Sequence, residues 1–236
     1  MIHVSNLTKI YGEKVQVPAL HDVSFVIEDG QFVGLMGRSG SGKSTLLHQL
    51  GLLDIPSSGS LIINNVDMGT LTDSEKTEFR LAELGYVFQE YGLIAEFSAL
   101  ENVYFPAMAL DKEEGGKERA VKLLEYVGLI NRLHHYPNEM SGGEQQRVAI
   151  ARALINDPKI IFADEPTANL DSVGTELVLS IFKKLNKELK KTIVMVTHEP
   201  SDKNILDRVI VLKDGVIIED TLVLGRRGKK VLRSKD

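Results

Sequence analysis

Apolar residues alternate, or run on without interruption, in a set of short segments divided by turn residues. These segments predict strands near Ile2–Thr8, Val23–Glu28, Gln31–Met36, Ser60–Ile63 and Gly85–Phe88. Later runs predict strands at Lys159–Ala163, Thr192–Thr197, Arg208–Leu212 and Val216–Glu219. Glu28-Asp-Gly30, Pro56-Ser-Ser-Gly59 and Lys213-Asp-Gly215 supply turns between several of them. Between Gln89 and Asp157 the period changes to that of helices, as over Lys117–Val127 and Glu144–Leu154. The expected architecture is therefore α/β, with strand-rich parts on either side of a helical insert at about 90–157. Within the insert, the polar run from Asp111 to Glu118 is the expected mobile loop.

Composition narrows this picture only slightly. A chain of 236 residues accommodates one sizeable α/β domain with a subdomain, expected over 1–222, followed by a basic tail at 223–236. The net charge of −5 argues against nucleic acid as a partner. In the tail, Arg226, Arg227, Lys229, Lys230, Arg233 and Lys235 crowd together, either as a solvated end or as an attraction to an anionic membrane surface. There is no cysteine, which removes disulfides and thiolate metal sites. No apolar run approaches the roughly 20 residues that span a bilayer. The first residues lack the pattern of a signal peptide, so a cytoplasmic location is expected.

The chemistry starts at GRSGSGKST, Gly37 to Thr45, between the apolar run ending at Met36 and the helix-like Leu46-Leu47-His48-Gln49-Leu50. Strand, glycine-rich turn and helix start are the context in which GxxxxGK[ST] is a phosphate-binding P-loop. Gly37, Gly40 and Gly42 let Arg38, Ser39 and Ser41 turn their backbone N–H groups into one concavity, and the helix start adds its own. Lys43 can reach the β- and γ-phosphates, and the Ser44 hydroxyl can hold Mg²⁺. The chain is expected to bind a nucleoside triphosphate.

Four downstream features separate the many P-loop chemistries. Lys159-Ile-Ile-Phe-Ala-Asp164-Glu165 is an apolar strand ending in two acids. Asp164 suits a Mg²⁺ shell, and Glu165 can orient or deprotonate a water. Met140-Ser-Gly-Gly-Glu144-Gln-Gln-Arg147 reads as an S-x-x-E capping box on Ser141 and Glu144. Gly142 and Gly143 leave the amides of its first turn open, so the segment serves equally as a plain helix cap or as a phosphate site. Gln89 follows a strand and can sense Mg²⁺ and the attacking water. His198 ends the strand Ile193-Val-Met-Val196 and is either a surface histidine or one carried to the γ-phosphate.

Together these features resemble the ATP-binding cassette family over nearly the whole chain. GRSGSGKST looks like its Walker A, Gln89 its Q-loop and SGGEQQRVAIARAL its signature. IIFADE looks like Walker B, Asn169-Leu-Asp171 the D-loop and His198 the switch histidine. Tyr11 falls where the family stacks an aromatic ring on adenine, although an ordinary half-buried tyrosine would look the same. The runs VFQEYGLIAEFSALENV and ADEPTANLD are most similar to the lipoprotein-release and macrolide or peptide export branch. Glu144 departs from the glutamine of most of the family and brings a negative charge towards the partner's γ-phosphate.

The resemblance implies a P-loop NTPase core with an N-terminal antiparallel β-subdomain and an inserted α-helical subdomain. It also implies ATP and Mg²⁺ as cofactors and hydrolysis at Glu165. The active form would be an ATP-dependent head-to-tail homodimer in which Ser141–Glu144 of one protomer face the P-loop of the other. The helical insert and the Gln89 loop would dock a separate transmembrane permease, placing the chain peripherally at the cytoplasmic face of the membrane. A relative that signals mechanically in cell division would share these motifs. A genome-maintenance ATPase would need long coiled-coil arms, and positions 43 to 141 hold no sustained heptads.

Overall fold

The computed structural model describes residues 1–12, 15–110 and 114–223. The expected loop at 111–118 therefore lies partly, and the basic tail from 224 onward wholly, outside the described residues. The chain opens with β1 (Ile2–Tyr11), β2 (Val17–Ile27), β3 (Phe32–Met36), α1 (Lys43–Leu50), β4 (Ser58–Ile63) and β5 (Val66–Asp67). There follow α2 (Asp73–Glu83), β6 (Leu84–Val87), α3 (Ala99–Met108), α4 (Gly116–Tyr126), α5 (Gly142–Leu154) and β7 (Ile160–Asp164). The last elements are α6 (Ser172–Lys187), β8 (Thr192–Val196), β9 (Arg208–Lys213) and β10 (Val216–Leu222).

Two units divide the chain. The first comprises Met1–Lys76 with Thr192–Asp236. In it β2, β1, β4 and β5 form an antiparallel sheet in that order. β3 lies between β8 and β9 and runs parallel to both, while β10 closes antiparallel on β9. Every residue of β3 and β8 is buried, which explains why both read as unbroken apolar runs, as parallel strands covered on two faces do. Phe25, Phe32, Leu35, Leu46, Leu47 and Leu50 are fully buried in this unit.

The second unit is Thr77–Lys191. β6 and β7 pair in parallel, from Leu84↔Ile160 to Val87↔Ala163. α3, α4 and α5 pack on one another, and α5 also packs on β6 and α6. Its core holds Val148, Ala149, Ile150, Ala151, Phe162, Phe182 and Leu185.

Two departures from the sequence pattern have physical causes. β2 begins at Val17, not Val23, because register shifts in its ladder with β1 break the period of two. α2 is a helix without one buried residue, so it shows no apolar stripe. Its start is nonetheless set by Thr72 and Glu75, which bond each other's backbone N–H at 3.3 and 2.7 Å.

Candidate functional site

In the first unit, β3 ends at Met36 and α1 begins at Lys43, with GRSGSG between them. Gly37 has φ 146°, and a Cβ there would lie 2.3 Å from the Leu212 carbonyl oxygen and 2.6 Å from Ser41 Oγ. No other residue fits that approach. The N-cap of α1 is Gly42, so no side chain occupies the free N–H groups of its first turn. Ser41 Oγ is buried at 4% exposure without a hydrogen-bond partner. Lys43 is only 7% exposed and donates to the Arg38 carbonyl at 3.0 Å, one of its three possible donations. Arg38, Ser39, Gly40 and Ser44 are exposed around the loop, and Thr45 is half-buried. Uncapped amides, an unsatisfied buried hydroxyl and a folded-in ammonium make a cradle for a polyanion.

The same unit brings His198 towards this loop. Leu35 of β3 stands opposite Val196 of β8, and Thr197 N–H donates to the Leu35 carbonyl at 3.2 Å. Gly37 and His198 thus leave the carboxyl ends of neighbouring parallel strands, where open α/β sheets bind ligands. His198 is half-exposed, with Nε2 3.4 Å from Glu199 Oε1. Beneath it, Thr197 Oγ1 donates to Asp202 Oδ2 at 2.5 Å and accepts from Glu199 N–H at 3.0 Å. Burial raises the Asp202 carboxyl above its ordinary value. Tyr11 closes β1 at 39% exposure, its hydroxyl donating to Asp54 Oδ2 at 2.8 Å.

In the second unit, the β6–β7 pair carries Gln89, two residues past β6, and the acids Asp164, the last residue of β7, and Glu165 at adjacent strand ends. Asp164 is buried, and burial together with its charge pushes the Tyr86 phenol upward. Glu165 has φ 42°, a left-handed backbone turn directly after β7. Gln89 is exposed at the start of a segment fixed by Arg152 of α5, which donates to the carbonyls of Tyr91, at 2.7 Å, and Gly92. Burial pulls the Arg152 pKa down to about 10.

The capping box on α5 is present. Ser141 N–H donates to Glu144 Oε2 at 2.8 Å, and Glu144 N–H donates to Ser141 Oγ at 3.3 Å. The other carboxylate oxygen accepts from Arg132 Nε at 2.9 Å. The negative charge at Glu144 is therefore paired within the chain, which tempers the repulsion read from the sequence alone. The Ser141 bond, with Arg132 behind it, holds the Glu144 carboxyl below its usual range despite partial burial. Ser141, Gly142, Gly143 and Arg147 line a cleft of about 370 Å³ with Asn169 and Asp171. A Cβ on Gly142 would lie 2.6 Å from the Tyr91 hydroxyl, so the Gln89 segment and the α5 start are in close contact.

Sequence reasoning did not single out Arg132, Arg152, Tyr91, Lys9 or Asp54. Arg152 bonds backbone carbonyls and Arg132 lies 12 residues from its carboxylate partner, so no local motif marks either.

Comparison with known proteins follows the same lines. The family profile for ABC transporters matches residues 20–168. The macrolide export ATP-binding/permease protein MacB of Chlorobaculum tepidum is 47% identical over 222 residues, 93% of this chain and 34% of that protein. The chain thus spans about a third of the length of such relatives. The lipoprotein-releasing system ATP-binding protein LolD of Cytophaga hutchinsonii is 43% identical over 219 residues, 92% of this chain and 99% of that one. A solved ATP-binding cassette, a dimer in a post-hydrolysis state with ADP and Pi, superposes with TM-score 0.88 at 42% identity. The match covers 95% of this chain and 100% of that cassette. The fold is accordingly α/β, a P-loop NTPase core with an N-terminal antiparallel β-subdomain and an inserted α-helical part. Motif, strand order and these likenesses agree: the chain belongs to the ABC transporter family and is an ATPase of that family.

Proposed function

We propose that the chain is the ATP-hydrolysing subunit of a membrane transporter and works as an ATP-closed homodimer on a separate permease. The observation that carries this reading is the uncapped start of α1, with the buried Ser41 hydroxyl and Lys43 folded over the loop. In this reading the N–H groups from Gly37 to Thr45 hold the phosphates, Lys43 neutralises the β/γ charge and Tyr11 meets the base. Glu165 takes the proton of the attacking water, Gln89 orients that water and His198 contacts the γ-phosphate. Ser141, Gly142, Gly143 and Glu144 receive the γ-phosphate of the second protomer's ATP.

Ser44, Gln89 and Asp164 would hold Mg²⁺. Their oxygen-only donor set fits a hard cation. When bound, Mg²⁺ would supply neutralisation of the phosphate charge.

The cassette is taken as 1–222, with the helical part at about 90–157 docking the permease. Among the described residues no helix is long and apolar enough to cross a membrane. That is compatible with a peripheral place at the cytoplasmic face. The names of the MacB and LolD relatives support export or lipoprotein release as the task. The dimeric state of the solved cassette supports the homodimer.

The test is light scattering after size exclusion, combined with steady-state hydrolysis. Glu165→Gln with ATP and Mg²⁺ is expected to elute as a dimer, and the wild type with ADP mainly as a monomer. A monomer in every nucleotide state, hydrolysing at a rate linear in protein, overturns the composite site.

A further inference from the structure

Around Tyr11 the first unit holds a bonded cluster that the phosphate-binding reading leaves unused. Asp54, four residues beyond the end of α1, is its centre. Its Oδ2 accepts from the Tyr11 hydroxyl at 2.8 Å. Its Oδ1 accepts from Lys9 Nζ at 2.7 Å and from the Ile55 N–H at 2.7 Å. Lys9 Nζ also donates to the Ile55 carbonyl at 2.7 Å and lies 4.8 Å from the centroid of the Tyr11 ring. The Thr45 side chain, on the first turn of α1, also acts electrostatically on the phenol. Burial opposes ionisation of Asp54, yet the bonds from Lys9, Tyr11 and Ile55 outweigh it and hold the carboxyl below its usual range.

Tyr11 is the last residue of β1, which lies between β2 and β4 in its sheet, and its ring is partly exposed. Here the hydroxyl is fixed by Asp54, just beyond the helix that opens the phosphate cradle, and one ring face is covered by an ammonium. We propose that Asp54, with Lys9, is a positioning residue that presents the open face of the Tyr11 ring to the base of a purine nucleoside triphosphate at a fixed distance from the P-loop. This rests on the reading of Tyr11 as the residue that meets the base. The ammonium on one face leaves the other for a planar base, and the Asp54 bond refers the ring to the segment directly after α1, the helix that opens the phosphate cradle. Preorganisation of this kind appears in binding, not in the chemical step.

The experiment compares ATP with inorganic tripolyphosphate, which offers the phosphates without a base. Affinities of full-length wild type, Asp54→Ala, Asp54→Asn, Tyr11→Phe and Tyr11→Ala are measured for both, together with KM and kcat for ATP. Asp54→Ala is expected to raise the Kd and KM for ATP about three- to tenfold, a partial loss of one base stack. Tripolyphosphate affinity and kcat at saturating ATP should stay at the wild-type value. Tyr11→Phe, which keeps the ring without its hydroxyl, should match Asp54→Ala, and the two together should give no further loss. Asp54→Asn keeps an acceptor and should recover part of the affinity. Equal losses for ATP and tripolyphosphate would make Asp54 a plain structural residue and overturn the proposal. Unchanged ATP affinity in Asp54→Ala, with a loss in Tyr11→Ala, overturns the clamp but leaves Tyr11 at the base. Unchanged ATP affinity in Tyr11→Ala removes Tyr11 from the base site and the clamp with it.

Discussion

The Arg152 guanidinium on α5 donates to the backbone carbonyl of Tyr91 at 2.7 Å, and a second N–H reaches the carbonyl of Gly92. One side chain thereby fixes the segment after Gln89 to the helix capped by Ser141. Tyr91 in turn places its hydroxyl against Gly142, closing the link at the other end of the helix. The Gln89 segment is thus in contact with α5 at both of its ends.

Arg152→Lys keeps a charge but not the planar fork that spans two carbonyls. It is expected to lower ATP hydrolysis roughly ten- to a hundredfold, the range that misplacing a catalytic group costs. Binding of ATP at the P-loop should be retained. Arg152→Ala should in addition lower Tm modestly, by about 1 kcal/mol in stability, since the half-buried Tyr91 carbonyl loses its partner while the exposed Gly92 carbonyl can turn to water. Steady-state turnover, nucleotide titration and thermal melts on the same preparations decide this. Wild-type turnover in Arg152→Lys would show that the link has no part in catalysis.

Lys43→Ala and Glu165→Gln should separate binding from chemistry. Lys43→Ala removes the ammonium folded over the cradle, so ATP affinity and turnover both fall. Glu165→Gln should keep affinity and lose about 10²–10⁴-fold in turnover, because an amide cannot accept the proton of water. Unchanged binding and hydrolysis in Lys43→Ala would refute the phosphate cradle. Near-wild-type turnover in Glu165→Gln would remove it as the base.

Much of the frame was legible in the chain because its strands are buried on both faces. β3, β7 and β8 expose nothing and therefore read as continuous apolar runs. The P-loop was legible because its glycines serve backbone geometry, as Gly37 against Leu212 shows. α2 and the first half of β2 were not, since one lacks any buried face and the other is bulged. Capping boxes offered a signal that periodicity did not. Thr72–Glu75 and Ser98–Glu101 mark the starts of α2 and α3 as clearly as Ser141–Glu144 marks α5. Arg152 lay beyond reach because its acceptors are backbone atoms 61 and 60 residues earlier, and a carbonyl has no sequence identity.

The cap on α5 should also register in acid. The Ser141 N–H bond, then Arg132, depress the Glu144 carboxyl below its usual 4.5. A depressed folded-state pKa stabilises the fold fully above the unfolded value and loses that contribution as pH falls through the folded one. The Tm difference between wild type and Glu144→Gln, small even at neutral pH because glutamine keeps the cap, should thus be largest above about pH 4.5 and vanish below it. A difference independent of pH would mean that the ionised form contributes nothing. Melts at several pH values from neutral down to strongly acidic make the comparison.

Glu144 and Arg132 together set the charge beside the Ser141–Gly143 cleft. Glutamine also completes a capping box, so Glu144→Gln should change Tm only slightly at neutral pH. Removing the carboxylate has two electrostatic consequences of the same sign. It deletes a negative charge near the proposed γ-phosphate position, and it leaves the Arg132 guanidinium without its partner at 2.9 Å. Arg132 is partly exposed, so the pair is screened and its effect modest. In a Glu165→Gln background, Glu144→Gln should tighten the ATP-bound dimer by about two- to fivefold at low salt. Arg132→Gln should weaken it by a similar factor, and the combined variant should fall near the starting value. Dimer dissociation constants at low and high salt provide the measurement, with all three shifts shrinking as salt rises. If Arg132→Gln and Glu144→Gln move the dimer in the same direction, the pair is not acting through charge, and Glu144 serves α5 only as its cap.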